Sequence, residues 1–460
     1  MENKNLDISK NNKLLAVANI VVFVLVLSVG GILSLFLPKM KVSESEKREL
    51  TPMPHFSWEH VFLDNYTDSL DLHYADNFPF RDAWVDFSGM VKETFGYWAN
   101  DVRIYNTQQD PPSVEKVIRV DSITTVKSDT VINVKKLDIS RNAKELVNSI
   151  LIHGGMAFQL FRGSEDRATA FAEMINKYRE ALPDSIRIYC LIAPSSIDFY
   201  LPRELKSERN LEKPNIEWVY SHLDSGVKSV DAYGEVERHK QEYVYFNTDH
   251  HWTGRGAYYA YRAFCERAGL TPAELYTFKR RVRKGYLGSL YDITKDIRLK
   301  QNRDSVESFQ LPIETVTYRY PASDLLNPVM APILAGSPNY ATFLGGDFPL
   351  VRIETENHNA RRVLVIKDSF GNAVCPFLAM HFEEVFVVDY RYFERNLLTF
   401  IRKNRITEVI FLHNTFVINT EFTFKKEKYL MRIKDPVAVE DESGMEKQGK
   451  VEIKGDSTKK

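Results

Sequence analysis

Three apolar runs near the C-terminal end of the chain are continuous rather than alternating, at residues 363–366, 385–388 and 409–412. Continuous apolar runs are typical of strands covered by helices on both faces, as in a parallel sheet. Stretches of helical length separate these runs, at 371–381 and 393–403. The pattern predicts an α/β domain of three layers (α/β/α) with a mostly parallel sheet.

The alternation of strand and helix also covers the middle of the chain, where apolar spacing and N-cap residues indicate further elements. The predicted elements are strands at 149–153, 186–193 and 227–231, a helix at 167–182, and a helix that Thr253 opens and that continues to Ala268. We therefore predict one α/β domain over residues 89–434. Residues 270–360 are interpreted as an irregular insertion in it.

The N-terminal part of the chain contains one long apolar run instead of the short runs of the predicted α/β domain. Residues 14–37 carry no charged side chain and are mostly Val, Leu, Ile and Phe. As a helix these 24 residues would rise about 36 Å, enough to cross a hydrocarbon core of about 30 Å. A cleaved signal peptide has a shorter apolar region of about 7–15 residues, so we predict an uncleaved transmembrane anchor. Lysines flank the run on both sides, and their count does not decide its orientation.

Three other segments are predicted from composition. Residues 38–88 are polar and contain several prolines at first, which indicates a stalk, followed by a leading helix from about Arg81. Residues 113–136 alternate between apolar and polar and predict a hairpin or a solvated loop. Residues 435–460 are rich in Lys, Glu and Gly and contain no aromatic residue, which predicts a disordered tail.

Overall composition limits the class of protein. A hydrophobic content of 44% and an aromatic content of 12% are incompatible with global disorder. The formal net charge of −1 gives no electrostatic case for binding nucleic acid, and the dense basic cluster at 280–284 is interpreted as a solvated segment. The three cysteines lie in apolar contexts and are predicted to be buried free thiols, although one disulfide stays open for an extracytoplasmic domain.

The segment from Asn247 to Trp252 reads Asn-Thr-Asp-His-His-Trp and carries the first candidate chemistry. Asp249 and His251 are two residues apart, so on an extended segment both side chains leave the same face. A carboxylate placed in this way orients an imidazole, as a nucleophile-activating pair requires. His250 is then predicted to point to the opposite face. Trp252 is predicted to pack and, at the edge of a crevice, also to contact substrate.

Ser369 carries the second candidate chemistry, because it directly follows a predicted buried strand and precedes a predicted helix. Ligands bind at this position in open α/β sheets, and the amide of Ser369 could stabilise an oxyanion there. A serine hydroxyl needs a base to become a nucleophile. We therefore predict a relay of Ser369, His251 and Asp249. The alternative is that Ser369 only caps the helix.

Other interpretations of the same residues stay open. Asp249, His250 and His251 are all good ligands for zinc or iron, but the sequence shows no further cluster, so we predict neither a metal nor another cofactor. A purely structural turn is a third interpretation. Asn414 and Arg391 follow predicted strands, where Asn414 could donate to an oxyanion and Arg391 could position a carboxylate or a sugar. Ordinary loop hydrogen bonds are the alternative for both.

The Asp-His-His-Trp string, the Asp368-Ser-Phe string and the segment Asp76–Asp82 (Asp-Asn-Phe-Pro-Phe-Arg-Asp) together resemble the bacterial DHHW proteins. These are relatives of the alginate O-acetylation proteins AlgJ and AlgX in the SGNH hydrolase-like group. The resemblance extends over about residues 45–420. It implies a circularly permuted SGNH-type α/β/α fold. It also implies Ser369 as nucleophile, His251 as base and Asp249 as the residue that orients the base.

The resemblance further implies a single-pass protein of the inner or cytoplasmic membrane, with residues 1–13 in the cytoplasm and the α/β domain on the periplasmic or cell-surface side. Relatives move acetyl groups onto exported polysaccharides, so the implied partners are a polysaccharide acceptor and a membrane-bound O-acyltransferase that supplies the acetyl group. Two departures stand out. Lys367 replaces the Gly of a Gly-Asp-Ser block, and no carbohydrate-binding module is recognisable after Asn414.

Together these features predict a membrane-anchored, extracytoplasmic serine acyltransferase or esterase that adds acetyl groups to, or removes them from, a cell-surface or exported polysaccharide. The alternative is a glycan-binding or scaffold protein of a polysaccharide export or modification complex, without catalytic activity.

Overall fold

The computed structural model describes residues 17, 20–25, 28–29, 42–43, 48–49, 51–54, 66–80, 83–84, 87, 91, 102–105, 149–206, 211–323 and 325–434. The predicted segments 1–13, 113–136 and 435–460 lie outside these residues, as does most of the predicted anchor at 14–37. Among the described residues, no helix is both long enough and apolar enough to cross a membrane.

Strands and α-helices alternate over residues 362–418, whereas the described residues of 304–367 form five strands with no α-helix between them. The strands, in chain order, are β1 Val42–Ser43, β2 Arg48–Glu49, β3 Val102–Tyr105, β4 Ile150–His153, β5 Met156–Gln159, β6 Arg187–Ala193, β7 Val227–Val230, β8 Lys279–Tyr286, β9 Asp304–Gln310, β10 Thr315–Tyr320, β11 Val329–Ala331, β12 Leu350–Thr355, β13 Arg362–Lys367, β14 Glu384–Asp389 and β15 Glu408–Asn414. The α-helices are α1 Tyr66–Asp76, α2 Glu165–Ala181, α3 Ile197–Tyr200, α4 Glu212–Ser221, α5 Ala232–Arg238, α6 Gly254–Ala268, α7 Ser289–Thr294, α8 Ile297–Gln301, α9 Gly371–Leu378, α10 Leu397–Lys403, α11 Thr415–Ile418 and α12 Glu421–Leu430.

An eight-stranded mixed sheet forms the centre of the domain, in the order β11-β10-β12-β14-β13-β15-β6-β7. The five strands from β14 to β7 pair in parallel, and all five were predicted. The other three strands pair antiparallel and extend the sheet beyond β14. The α/β class is thus confirmed, while the sheet is mixed.

The prediction of an irregular insertion at 270–360 is wrong. This segment supplies β10, β11 and β12 to the central sheet, and β8 and β9 pair with each other in a separate antiparallel sheet. Strand β10 reads Thr-Val-Thr-Tyr-Arg-Tyr, a β-branched and aromatic composition that suits a half-buried strand. Strand β10 was not predicted, because its polar residues interrupt the continuous apolar run by which the other strands were recognised.

Helices cover both faces of the sheet. Val363 and Val365 of β13 face a core formed with α5, α6 and α9, whereas Leu364 and Ile366 face a core formed with α2, α4, α10 and α12. All four side chains are fully buried. A strand buried on both faces has no polar position to alternate with, and this explains the continuous apolar run.

The N-terminal elements differ from their predictions in two respects. The predicted strand at 149–153 forms β4, but it joins an antiparallel three-stranded sheet, β3-β4-β5, rather than the central one. A further helix that was not predicted, α1, precedes the helix predicted from Arg81, and the described residues of that predicted helix, 83, 84, 87 and 91, are helical. Asp76 at the last position of α1 accepts hydrogen bonds from the backbone nitrogen and the hydroxyl of Thr51, at 3.0 and 2.8 Å.

Candidate active site

Asp249 and His251 are held together by a tight turn. Asp249 Oδ1 accepts a hydrogen bond from the backbone nitrogen of His251 at 3.0 Å and lies 2.6 Å from Nδ1 of the same residue. The two side chains were predicted to meet because an extended segment would place them on one face. They meet instead because a short acidic side chain folds back onto the backbone two residues ahead, as Asp does in turns.

The second oxygen of Asp249 is also fixed. Asp249 Oδ2 accepts from the Tyr286 hydroxyl at 2.7 Å and from the backbone nitrogen of Ser289 at 2.9 Å. Gly288 makes this close approach possible, because a Cβ there would lie 2.3 Å from Cβ of Asp249. Burial alone would raise the pKa of Asp249, but the charge of His251 and its hydrogen bond outweigh burial and hold this pKa well below its usual value. Asp249 is therefore ionised at neutral pH.

Ser369 faces the other side of the imidazole. Its Oγ lies 2.7 Å from His251 Nε2, so the structure joins acid, imidazole and hydroxyl in one hydrogen-bonded chain. With Nδ1–H donating to Asp249, Nε2 is left to accept from the hydroxyl, as a base requires. Ser369 does not act as the cap of α9, because Phe370 occupies that position.

The turn that presents Ser369 is fixed by its neighbour Asp368. This carboxylate is buried and accepts from the backbone nitrogens of Phe370, at 2.8 Å, and Asn414, at 2.7 Å. The bonds tie the end of β13 to the end of β15. Asp368 was quoted in the sequence string but was given no role.

Two hydrogen-bond donors near Ser369 are available for an oxyanion. The backbone nitrogen of Ser369 donates to no acceptor among the described residues. Asn414 lines the same cavity, and its Oδ1 accepts from the backbone nitrogens of Phe416 and Val417 at the start of α11, at 2.8 and 3.1 Å. Its Oδ1 is thus the helix cap, and Nδ2 is the part of the side chain left to donate.

Ser369 opens into a cavity of about 210 Å³ at the carboxyl ends of β6, β13 and β15. The other side chains that line it include Gln159, Ser195, Ser196, His250, Arg391 and Phe416. In open α/β sheets, ligands bind at this edge. A second cavity of about 310 Å³, lined by Glu242, Arg255 and Glu307 among others, is lined by none of the three relay residues.

Two aromatic rings flank the His251 imidazole. Tyr340 stacks on it with ring centroids 3.8 Å apart and planes 9° apart, and the Tyr340 hydroxyl donates to the Ser369 carbonyl at 3.0 Å. His250 lies on another side, with centroids also 3.8 Å apart. The prediction that His250 points to the opposite face is wrong: it borders the cavity, and its Nδ1 lies 2.7 Å from the Ser289 hydroxyl.

The packing role predicted for Trp252 is confirmed, whereas the predicted contact with the cavity is wrong. Its indole is fully buried, Nε1 donates to the Phe370 carbonyl at 3.0 Å, and its ring packs edge-on against that of Phe370. A side chain inside the core cannot meet a substrate. Trp252 instead connects the segment that carries His251 to the turn that carries Ser369.

Arg391 does reach the cavity, but within a network of four charges. It donates to Asp389 and Asp347, and the buried Lys367 ammonium lies 2.7 Å from Asp389 and 2.9 Å from Asp347. Two cations thus face two carboxylates. Lys367, which departs from the expected Gly, is paired beneath the site rather than directed into it.

Metal binding has some geometric support. Ligand atoms from Asp249, His250 and His251 all lie within 4.8 Å of one another. In the structure, however, both ring nitrogens of His251 are in hydrogen bonds with protein groups, and so are both oxygens of Asp249. The donor set therefore fits a proton relay better than a metal centre.

Several residues that shape the site were not identified from the sequence, namely Tyr286, Gly288, Ser289, Tyr340 and Asp368. All except Asp368 lie in the segment that was interpreted as an irregular insertion. The Asp-Ser string could have suggested a role for Asp368, since Asp commonly fixes turns. No local signal marks the others, because the hydrogen bonds that join them to the site cross 29 to 40 residues of sequence.

Comparison with known proteins places the chain in a family. The family model described as DHHW protein matches residues 113–388, and this range includes the relay residues and most of the central sheet. The chain belongs to the DHHW family. The predicted resemblance is thereby confirmed. No curated protein matches this DHHW chain.

Three solved structures match a similar share of the chain. A DHHW family protein from Eubacterium siraeum is 31% identical with a TM-score of 0.56, over 62% of this chain and 95% of that one. Bacillus cereus PatB1 with a sulfonyl adduct is 20% identical with a TM-score of 0.51, over 62% of this chain and 98% of that one, and shares the fold. The O-acetyltransferase domain of Pseudomonas putida AlgJ also matches, at 14% identity and a TM-score of 0.35, over 60% of this chain and 96% of that one.

A buried carboxyl beside the cavity predicts a dependence of stability on pH. Glu212 accepts from the backbone nitrogen of Ser195 at 2.8 Å and from the Thr415 hydroxyl, which joins two loops of the site. Burial, then the charge of Asp198, raises the pKa of Glu212 to about 8 from 4.5. The folded state therefore holds a proton that the unfolded state has released, and wild-type stability should fall as pH rises from about 5 to 8.

Glu212→Gln is expected to flatten this decline, because an amide keeps both contacts and does not titrate in this range. Urea unfolding of the full chain in detergent at several pH values measures the slope. Glu217→Gln, at an exposed position of the same helix, is the matched control and should keep the wild-type slope. Equal slopes for wild type and Glu212→Gln would show that Glu212 does not hold this proton.

Proposed function

We propose that this DHHW protein is a serine acyltransferase or esterase that transfers or removes acetyl groups on a cell-surface or exported polysaccharide. The observation that carries the proposal is the continuous relay from Asp249 through His251 to Ser369, with contacts of 2.6 and 2.7 Å. A hydroxyl activated in this way and opening into a cavity is suited to nucleophilic attack on an acyl carbonyl.

The reaction follows from the positions of the three groups. Ser369 Oγ attacks the acyl carbonyl while His251 Nε2 takes its proton, and Asp249 stabilises the resulting imidazolium. The tetrahedral oxyanion accepts hydrogen bonds from the Ser369 amide and Asn414 Nδ2. The leaving alcohol takes the proton from His251 as its bond to the carbonyl breaks, so that the acyl group remains on Ser369. A sugar hydroxyl or water then attacks that ester in the same manner and frees Ser369.

The cavity favours a short acyl group. Its volume of about 210 Å³ is below the roughly 300–1,000 Å³ of pockets that enclose drug-sized ligands. Polar side chains such as Gln159 and Ser196 line it, as a sugar hydroxyl next to the ester would require. An acetyl group and part of one sugar ring fit this description.

We propose the location from the sequence. The apolar run at 14–37 would serve as a single transmembrane anchor with the α/β domain on the extracytoplasmic side. The polysaccharide acceptor would then be met outside the membrane, and a membrane-bound O-acyltransferase would supply the acetyl group.

Covalent labelling tests the proposal. The full chain in detergent, treated with a serine-directed sulfonyl fluoride and digested, should carry the label on Ser369 by mass spectrometry. The matched variant His251→Ala should label far more slowly, because its hydroxyl has no base. Labelling of other serines at the same rate in both proteins would contradict an activated Ser369.

No contact among the described residues of the site favours the scaffold alternative over the relay. The same purified protein tests this alternative. Glycan binding without labelling and without turnover of any acyl donor would favour a scaffold. The metal alternative is tested by elemental analysis of the purified chain and by a chelator, which should leave labelling unchanged if the relay acts without a metal.

A further inference from the structure

Strand β8 is the most strongly charged exposed segment of the described domain that the proposed reaction does not use. It reads Lys-Arg-Arg-Val-Arg-Lys-Gly-Tyr, and every residue from Lys279 to Gly285 is exposed. It pairs with β9 along one edge, and no strand of the described chain pairs with its other edge. The basic cluster interpreted from the sequence as a solvated segment is thus an ordered strand with an open edge.

Most of the positive charge on this strand has no carboxylate partner. Arg280 is paired with Glu307, which also binds Arg255. The four other cations form no ion pair with any carboxylate in the described chain, namely Lys279, Arg281, Arg283 and Lys284. Arg281 donates only to the neutral side chain of Gln310, at 2.7 Å. We call these four residues the cationic strand.

Three of the four residues of the cationic strand are regularly spaced. Side chains two residues apart on a strand share a face and repeat about every 7 Å, which places Lys279, Arg281 and Arg283 in a row. Opposite them on β9 stand Gln310, Ser308 and Val306, none of which is charged. A row of like charges beside uncharged side chains attracts an extended polyanion more strongly than it attracts a single small anion.

The strand also leads to the relay. Its last residue, Tyr286, donates to Asp249 Oδ2, and Lys284 lies two residues before it, about 7 Å along the strand. The strand therefore ends at the residue that holds the carboxylate of the relay. The alternative of a bilayer fits less well, because β8 carries no Trp, Phe or Leu to insert between lipids.

We propose that the cationic strand binds an acidic polysaccharide, a chain whose sugars carry carboxylate or phosphate groups. The inference rests on the proposed function in one respect only, that the bound polymer is also the acyl acceptor. Binding itself needs no catalysis, so the two can be tested separately.

The test measures binding of the full chain in detergent to polygalacturonate, to neutral dextran and to phosphatidylglycerol vesicles, at low and high salt. We expect polygalacturonate to bind, dextran not to bind, and the affinity to fall as salt screens the charges. Replacing all four cations with Gln should weaken polygalacturonate binding by at least about tenfold, from the loss of four charge pairs. Ser369→Ala should bind like wild type, which separates this outcome from any result on catalysis.

Two further variants keep the test decisive. Arg281→Glu is a single change that reverses one charge, and it should weaken binding even if the fourfold variant folds poorly. The matched control replaces four exposed cations on other elements with Gln, namely Lys177, Arg402, Lys403 and Arg432, and should bind like wild type. Unchanged binding by both strand variants would overturn the proposal, as would equal affinity for dextran or binding to the vesicles alone.

Discussion

Ser369→Ala is expected to lower hydrolysis of p-nitrophenyl acetate by about 10³-fold or more, because the hydroxyl that would accept the acyl group is gone. His251→Ala should cost about as much, since neither residue of a base–nucleophile pair acts without the other. Asp249→Asn should cost less than either but still more than about tenfold. It keeps the size of the side chain but removes the charge that stabilises the imidazolium. Release of p-nitrophenol by the full chain in detergent measures all three.

The matched control for Ser369 is Ser196→Ala. Ser196 lines the same cavity, but its side chain takes no part in the relay. It should keep most of the activity, and all four variants should melt near the wild-type temperature. If Ser369→Ala and Ser196→Ala turn over the ester as fast as wild type, the relay is not the source of the activity.

Lys367→Met is expected to lower the free energy of unfolding by about 3 kcal/mol, the lower end of the range for breaking a buried ion pair. The Lys367 side chain is almost fully buried, and its removal leaves the fully buried Asp389 with Arg391 as its remaining cation. Methionine is similar in length, so the loss reports the two carboxylates that are left with a single cation rather than a cavity. Urea unfolding at neutral pH measures the effect.

Two further variants test whether the loss of stability comes from the broken ion pair. Lys403→Met changes an exposed lysine at the end of α10 and should alter stability by less than about 0.5 kcal/mol. The double variant Lys367→Met, Asp389→Asn removes both charges and should recover part of the loss, since paired changes in contact are not additive. A Lys367→Met protein as stable as wild type would mean that the four-charge network contributes nothing to stability.

The parallel half of the sheet could be predicted because its strands are buried on both faces and therefore read as continuous apolar runs. Thr253 likewise marked the start of α6, and the structure shows its hydroxyl accepting from the backbone nitrogen of Gly256. The antiparallel half could not be found in this way. Strands β10 and β11 have exposed positions, so they mix polar with apolar residues, and no run stands out.

The relay residues could be named because the acid and the imidazole are neighbours in sequence and the serine follows a recognisable strand. The residues that surround the relay could not be named from the sequence. Tyr286 binds Asp249 and Tyr340 stacks on His251, and nothing in their own sequence neighbourhood indicates either contact. The substrate contact of Trp252 was wrongly predicted for a related reason. A large aromatic residue next to a catalytic string fits a core as well as a crevice, and only burial separates the two.

The most direct test of the relay is to trap the acyl group on the chain during turnover. The full chain is mixed with p-nitrophenyl acetate, quenched in acid within one turnover, digested and analysed by mass spectrometry. An acetyl group on the peptide that contains Ser369, absent from the Ser369→Ala protein, is the predicted result. Product release with no acetylated Ser369 at any quench time, or with the acetyl group on another side chain, would contradict the account.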